Sequence, residues 1–240
     1  MLSVQDIHAG YGGSRVLCGV SFGVAPGEIV VLLGRNGSGR STTAKVIMGL
    51  LPATGRVDWR GEALLGRPPH EIARRGVGYV PEARDVFPTL TVEQNLELGW
   101  MPRRRGMLGR RDDEPLRRLK EDVYALFPWL KARADTLAGV LSGGEQQMLS
   151  LGRTLMGQPQ LVVVDEPMEG LAPQAVQQVA GFVHALRQRG LAVLLIEQKF
   201  SLARTLADRC LVFGHGRVVF EGSHAELDAA DDVRREWLEV

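Results

Sequence analysis

Two short stretches of this chain carry residue types that can handle a phosphate. The first, Gly34-Arg35-Asn36-Gly37-Ser38-Gly39-Arg40-Ser41, has the G-x-x-x-x-G-[K]-[ST] spacing of a phosphate-cradling loop, with Arg40 where that spacing carries lysine. Gly34, Gly37 and Gly39 free the backbone to wrap, so that successive N–H groups through Asn36 and Ser38 converge on one anion. The helix that follows adds the positive end of its dipole. Ser41 then offers its hydroxyl to Mg²⁺, and Thr42 falls near the α-phosphate of a nucleotide. The second stretch, Leu161-Val162-Val163-Val164-Asp165-Glu166, is an apolar strand ending in two acids. Asp165 is suited to hold Mg²⁺ through water, and Glu166 to polarise the water that attacks a γ-phosphate. Each stretch also has a plain reading when taken alone, as a glycine-rich strand-to-helix turn that binds nothing and as a pair of acids capping a helix.

The elements that must position these groups follow from periodicity. Leu2 to Ile7 and Val16 to Val24 read as strands of a small antiparallel lobe, and Ile29 to Leu33 as a buried strand that feeds the glycine loop. Ser41 to Leu50 reads as the helix after it. Residues 55 to 65 read as a further hairpin arm, Pro69 to Arg75 as a short helix ending at Gly76, and Val77 to Val80 as a return to the sheet. From about residue 84 strand signals stop, and Leu116, Leu119, Val123, Leu126 and Phe127 recur at helical spacing. After about residue 155 the alternation resumes with Leu161 to Val164, helix 174 to 189, and strands Leu191 to Ile196, Cys210 to Phe213 and Arg217 to Phe220. Ser223-His224-Ala225-Glu226 is a capping-box pattern that starts a terminal helix. The expected fold class is α/β: a phosphate-loop core with an N-terminal antiparallel β lobe and an inserted helical subdomain. It forms one domain, with 1–83 and 156–240 as the nucleotide-binding core and 84–155 as the insertion.

Composition narrows the function classes. A chain of 240 residues with 45% hydrophobic content can bury a substantial core. A net charge of +1 lacks the positive field of a nucleic-acid-binding protein, so no nucleic-acid partner is expected. Cys18 and Cys210 have neither metal-ligand spacing nor a disulfide framework and read as buried, reduced thiols. The N-terminus has no signal-peptide pattern, and the longest apolar runs fall short of a membrane span, which predicts a chain that stays inside the cell and reaches a membrane only through a partner. The arginine-rich stretch Arg103, Arg104, Arg105, Arg110 and Arg111 is followed by Asp112, Asp113 and Glu114 and reads as a solvated loop of mixed charge.

A third stretch, Leu141-Ser142-Gly143-Gly144-Glu145-Gln146-Gln147, identifies the family. With the phosphate loop before it and the acidic strand after it, the chain resembles the ATP-binding subunits of ABC transporters over essentially its whole length. The resemblance implies ATP as substrate, Mg²⁺ as cofactor, and a second ATPase subunit whose signature, here Ser142, Gly143, Gly144 and Glu145, meets the γ-phosphate bound by the first. Tyr11 falls where the family stacks an aromatic on adenine. The position that is usually glutamine is Glu82, still an oxygen ligand for Mg²⁺, and the switch position that is usually histidine is Gln198, still a hydrogen-bond donor toward the γ-phosphate. Because Gln198 cannot carry a proton, catalysis rests on Glu166 and on phosphate donors including Arg40. Glu82, Gln198, the Glu169-Gly170-Leu171-Ala172-Pro173 loop and Gly143 to Met148 are similar to the subunits that energise importers of branched-chain amino acids, amides and urea. Membrane permeases, an indirect periplasmic solute-binding protein and a place on the cytoplasmic face of the inner membrane are then implied. Met168, where relatives carry threonine, and Arg40 keep a second reading in view, that of an ATP-binding regulatory subunit with weak hydrolysis. A nucleic-acid or ribosome-directed ATPase of the same superfamily is disfavoured, because neither coiled coils nor a tandem cassette is present.

Overall fold

The continuous apolar runs of the sequence become parallel strands buried on both faces, as runs without alternation must. In the computed structural model, which describes residues 1–101 and 114–238, the phosphate-loop strand β3 (Ile29–Gly34) lies between β8 (Ala192–Ile196) and β9 (Arg209–Gly214) and is parallel to both. Strands β7 (Leu161–Asp165) and β6 (Val77–Val80) continue the sheet beyond β8, and β10 (Arg217–Gly222) closes the other edge antiparallel to β9. A second sheet, of order β2-β1-β4-β5, is built from β1 (Leu2–Tyr11), β2 (Ser14–Val24), β4 (Ala53–Trp59) and β5 (Glu62–Ala63). The arginine-rich stretch from Arg103 to Arg111, with Asp112 and Asp113, lies outside the described residues.

Period-two alternation divides the main sheet between two cores. Val30, Leu32, Val163 and Leu194 face the antiparallel sheet, with Ala44, Val46 and Ile47 of α1 (Arg40–Ile47) packed in the same cluster. Ile29, Val31, Leu33, Val162 and Val193 face the opposite way, toward a cluster that also holds the helices of the central segment. That segment comprises α3 (Val92–Leu98), α4 (Glu114–Leu126), α5 (Pro128–Ala132), a 3₁₀ turn at Ala138–Val140 and α6 (Gly143–Met156). Short α2 (Pro69–Arg74) precedes β6, and α7 (Pro173–Gln188), α8 (Phe200–Leu206), α9 (His224–Ala229) and α10 (Asp231–Trp237) complete the chain. Ser223 and Glu226 form the reciprocal capping box that their spacing predicts at the start of α9. The thiols depart in part from expectation, because Cys210 is fully buried while Cys18, on the outer strand β2, is only partly so.

Candidate functional site

The glycine loop closes tightly between β3 and α1. Gly34 has φ 148°, and a Cβ there would lie 2.6 Å from the Phe213 carbonyl oxygen. Gly39 has φ 106°, and its Cβ would lie 2.6 Å from Leu17 Cδ2, so only glycine lets β2 approach the loop. No side chain caps α1, which leaves the amides of its first turn aimed into the loop without an intrahelical partner. The Ser38 hydroxyl is likewise buried and makes no hydrogen bond. Uncapped amides and an orphaned hydroxyl around one concavity are what an anion would satisfy.

That concavity is a cleft of about 390 Å³ lined by Tyr11, the loop from Asn36 to Thr42, Glu82, Glu166 and Glu169. Residues far apart in the chain therefore meet in one cleft. Ser41 Oγ donates to Asp165 Oδ1 at 3.0 Å, joining the start of α1 to the end of β7. Tyr79 OH, from β6, lies 3.4 Å from Asp165 Oδ2, and burial pushes the Tyr79 phenol well above its usual value. Burial also raises Asp165, against the hydrogen bond from Ser41. Hydroxyl and carboxylate oxygens gathered here form an all-oxygen donor set, which fits a hard divalent cation.

Glu166 is held in an unusual conformation, with φ 44°, and its N–H donates to the Ile196 carbonyl at 3.0 Å. Left-handed backbone at a non-glycine residue costs on the order of 1–3 kcal/mol and is kept where the side chain must be aimed. Burial, together with a hydrogen bond to Glu169, pushes the Glu166 carboxyl up to about 7, against the attraction of Arg40.

Arg40 is a buried charge, at 4% exposure. Its guanidinium donates to the Glu197 carbonyl oxygen at 2.6 Å, pairs with Glu166 Oε1 at 2.9 Å and reaches Asn36 Oδ1 at 3.4 Å. Burial lowers its pKa, while Glu166, Asp165, Glu197 and Glu169 act to raise it.

Two predicted groups stand apart from the cleft. Ser142 to Glu145 do not line it. They form the start of α6, where Ser142 Oγ accepts from the Glu145 N–H at 3.4 Å and Glu145 Oε2 accepts from the Ser142 N–H at 2.7 Å. Glu145 also pairs with Arg133. Gln198 is exposed and does not line the cleft either, although it directly follows the buried Glu197.

Sequence reasoning missed Tyr79 and Glu197, and it noted Glu169 only as part of the loop that marks the subfamily. Glu197 carried a usable signal: it is an acid placed immediately after an apolar strand, the pattern that drew attention to Asp165. Met168 is 4% exposed and packs in the core that contains the central helices, so its thioether fills apolar space beside Glu166.

Comparisons with known proteins place the whole chain in one family. Residues 17–169 match the family model described as ABC transporter. The chain is 42% identical over 239 residues to the high-affinity branched-chain amino acid transport ATP-binding protein BraG of Pseudomonas aeruginosa, covering 99% of each chain. It is also 35% identical over 231 residues to the Nod factor export ATP-binding protein I of a Rhizobium species, covering 95% of this chain and 72% of that one. Among solved structures, a nucleotide-free ATP-binding cassette from an ABC transporter superposes with TM-score 0.83 at 26% identity, covering 97% of this chain and 95% of the other.

Proposed function

The chain belongs to the ABC transporter family of ATPases, and from that premise we propose that it is the ATP-hydrolysing subunit of an importer for branched-chain amino acids or related small polar solutes. The near-complete coverage of BraG at 42% identity favours import over the export activity named for the more distant relative. One observation carries the mechanistic part: none of Ser142 to Glu145, at the start of α6, lines the phosphate cleft. A second ATPase subunit completes the site, with Ser142, Gly143, Gly144 and Glu145 if it is an identical copy and with its own signature residues if it is different.

Within one site, the amides from Gly34 to Ser41 and the Ser38 hydroxyl bind the phosphates, Thr42 lies toward the α-phosphate, and Tyr11 stacks on adenine. Ser41, Asp165 and Glu82 would hold Mg²⁺, which when bound offsets the charge of the β- and γ-phosphates. Glu166, already poised near neutrality, accepts a proton from the attacking water, and Gln198 donates a hydrogen bond toward the γ-phosphate once the subunits close. Closure on ATP and release after hydrolysis then drive the permeases. No helix among the described residues is long and apolar enough to cross a membrane. The chain works at the cytoplasmic face through those permeases, which receive solute from a periplasmic binding protein. The cleft of about 500 Å³ lined by Met48, Tyr79, Phe87, Leu98 and Arg153, between the core and the inserted helical subdomain 84–155, receives a permease helix.

Arg40 favours a second reading, that of a regulatory subunit that closes on ATP and hydrolyses slowly, because its guanidinium is tied to Glu166 and the Glu197 carbonyl. ATPase activity of the purified chain, with and without its permease, separates the two. Turnover stimulated by the permease supports the first, whereas ATP binding without turnover in either condition supports the second.

A further inference from the structure

Arg84 stands two residues after Glu82, yet its side chain reaches the start of α6 and does not line the cleft of its own subunit. A Cβ built at Gly143, the first residue of α6, would lie 2.6 Å from Arg84 Nη1 and 3.2 Å from Cζ. The guanidinium therefore fills the space that any side chain at 143 would take. The backbone of Gly143 does not itself demand glycine, because its φ is not positive, and alanine would favour the helix more. Glycine at this position is what lets the cation approach the first turn of α6.

The segment that carries Arg84 is pinned so as to aim it there. Arg84 and Asp85 are successive non-glycine residues with left-handed backbone, at φ 63° and 46°. The Arg84 N–H donates to the Pro81 carbonyl at 3.2 Å, and the Asp85 N–H to the Ala83 carbonyl at 2.7 Å. From α6, Arg153 Nη2 donates to the Asp85 carbonyl at 2.7 Å, which ties the turn to the helix that begins at Gly143.

The charges at this point do not balance. A guanidinium set against a helix start brings a full positive charge to the positive end of the helix dipole. Arg133, which also reaches the start of α6, is matched by Glu145. Arg84 makes no ion pair and no side-chain hydrogen bond among the described residues. An anion arriving at Ser142 and Gly143 would relieve the repulsion and accept from the planar fork. In the shared site proposed above, the anion that arrives there is the γ-phosphate of the ATP held by the other subunit.

We propose that Arg84 is a phosphate-contacting residue of that shared site: beside the signature of its own subunit, its guanidinium donates to the γ-phosphate held by the other, so that closure of the dimer depends on ATP and not on ADP. The proposal deepens the shared-site reading and rests on it.

The test uses the full chain in the Glu166→Gln background, with the proper partner subunit, and compares Arg84 with Arg84→Met, Arg84→Gln and Arg84→Lys. Arg84→Met keeps an unbranched side chain packed on Gly143 and removes the charge. Analytical ultracentrifugation over a range of protein concentrations at saturating MgATP should show dimerisation weakened about tenfold or more in Arg84→Met and Arg84→Gln, and less in Arg84→Lys. The affinity of each chain for MgADP should stay within about twofold, because Arg84 does not line its own cleft. In a chain with Glu166 intact, kcat should fall by about tenfold or more in the uncharged variants. Packing of the side chain on Gly143 alone would leave dimerisation of Arg84→Met unchanged, and that result in either folded uncharged variant overturns the proposal while leaving the shared site intact. An equal loss of MgADP affinity also overturns it, because Arg84 would then serve its own cleft. If the Glu166→Gln chain with Arg84 in place forms no dimer with MgATP and its partner, the shared-site reading fails and this proposal falls with it.

Discussion

Replacing Arg40 by lysine tests whether the guanidinium restrains the site in its resting state. Arg40 bridges the Glu197 carbonyl at 2.6 Å and Glu166 at 2.9 Å through separate nitrogens of its planar fork, a spread that the single nitrogen of lysine does not have. A buried hydrogen bond from a charged donor is worth about 1.5–3 kcal/mol. To act on the γ-phosphate the guanidinium must release the carbonyl and give up part of its hold on Glu166. A lysine that never formed the carbonyl bond starts from a ground state less stabilised by that amount. If the bond is absent in the transition state, kcat rises by about ten- to a hundredfold. Nucleotide affinity changes less, because the positive charge is kept and the cradle amides are untouched. Phosphate release at saturating MgATP gives kcat, and titration with a fluorescent nucleotide gives the affinity. An unchanged or lower kcat in Arg40→Lys would refute the restraint, show that the loop has adapted to arginine, and remove the main support for a regulatory subunit.

Glu166→Gln keeps the side chain's shape and removes its charge, so MgATP binding is expected to persist while hydrolysis stops and a closed dimer accumulates. Gel filtration with MgATP and the proper partner subunit should show that dimer, and a persistent monomer would count against the shared site. Tyr11 is 44% exposed at the edge of the cleft, so Tyr11→Ala should leave stability intact and weaken nucleotide binding by about 1 kcal/mol, measured by calorimetry. Stability should also depend on pH through Glu197, whose carboxyl is raised to about 7 by burial, against the Met168 and Gln198 amides, Arg40 and Lys199. A folded value above the unfolded one means that its contribution is fully present below pH 4.5 and is lost as pH rises through about 7. The loss is on the order of 3 kcal/mol, and Glu197→Gln should flatten that part of the profile in urea melts between pH 5 and 8. An equally steep profile in the variant would assign the dependence elsewhere.

Much of the site was legible before any fold was known, because its parts are contiguous. A glycine loop between an apolar strand and a helix, and acids at the end of an apolar strand, are local patterns whose backbone geometry their own residues dictate. The joining of Ser41 to Asp165, which are 124 residues apart, could be anticipated because both motifs were expected to face one ion. The two-core division of the parallel sheet could not, because uninterrupted apolar runs such as Ile29 to Leu33 do not reveal which alternate residues face which layer. Nor could the environment of Arg40, whose bond to the Glu197 carbonyl spans 157 positions and depends on β3 lying beside β8 with Leu32 opposite Ile196. The resemblance named Gln198 as the switch, yet the fold leaves that side chain exposed and buries its neighbour Glu197, whose carbonyl holds Arg40. Sequence by itself determined which residue types stand in the glycine loop and at the end of the acidic strand. Tertiary structure alone decided which charges are desolvated and paired, because burial and pairing depend on strand register and on layers that no local pattern encodes.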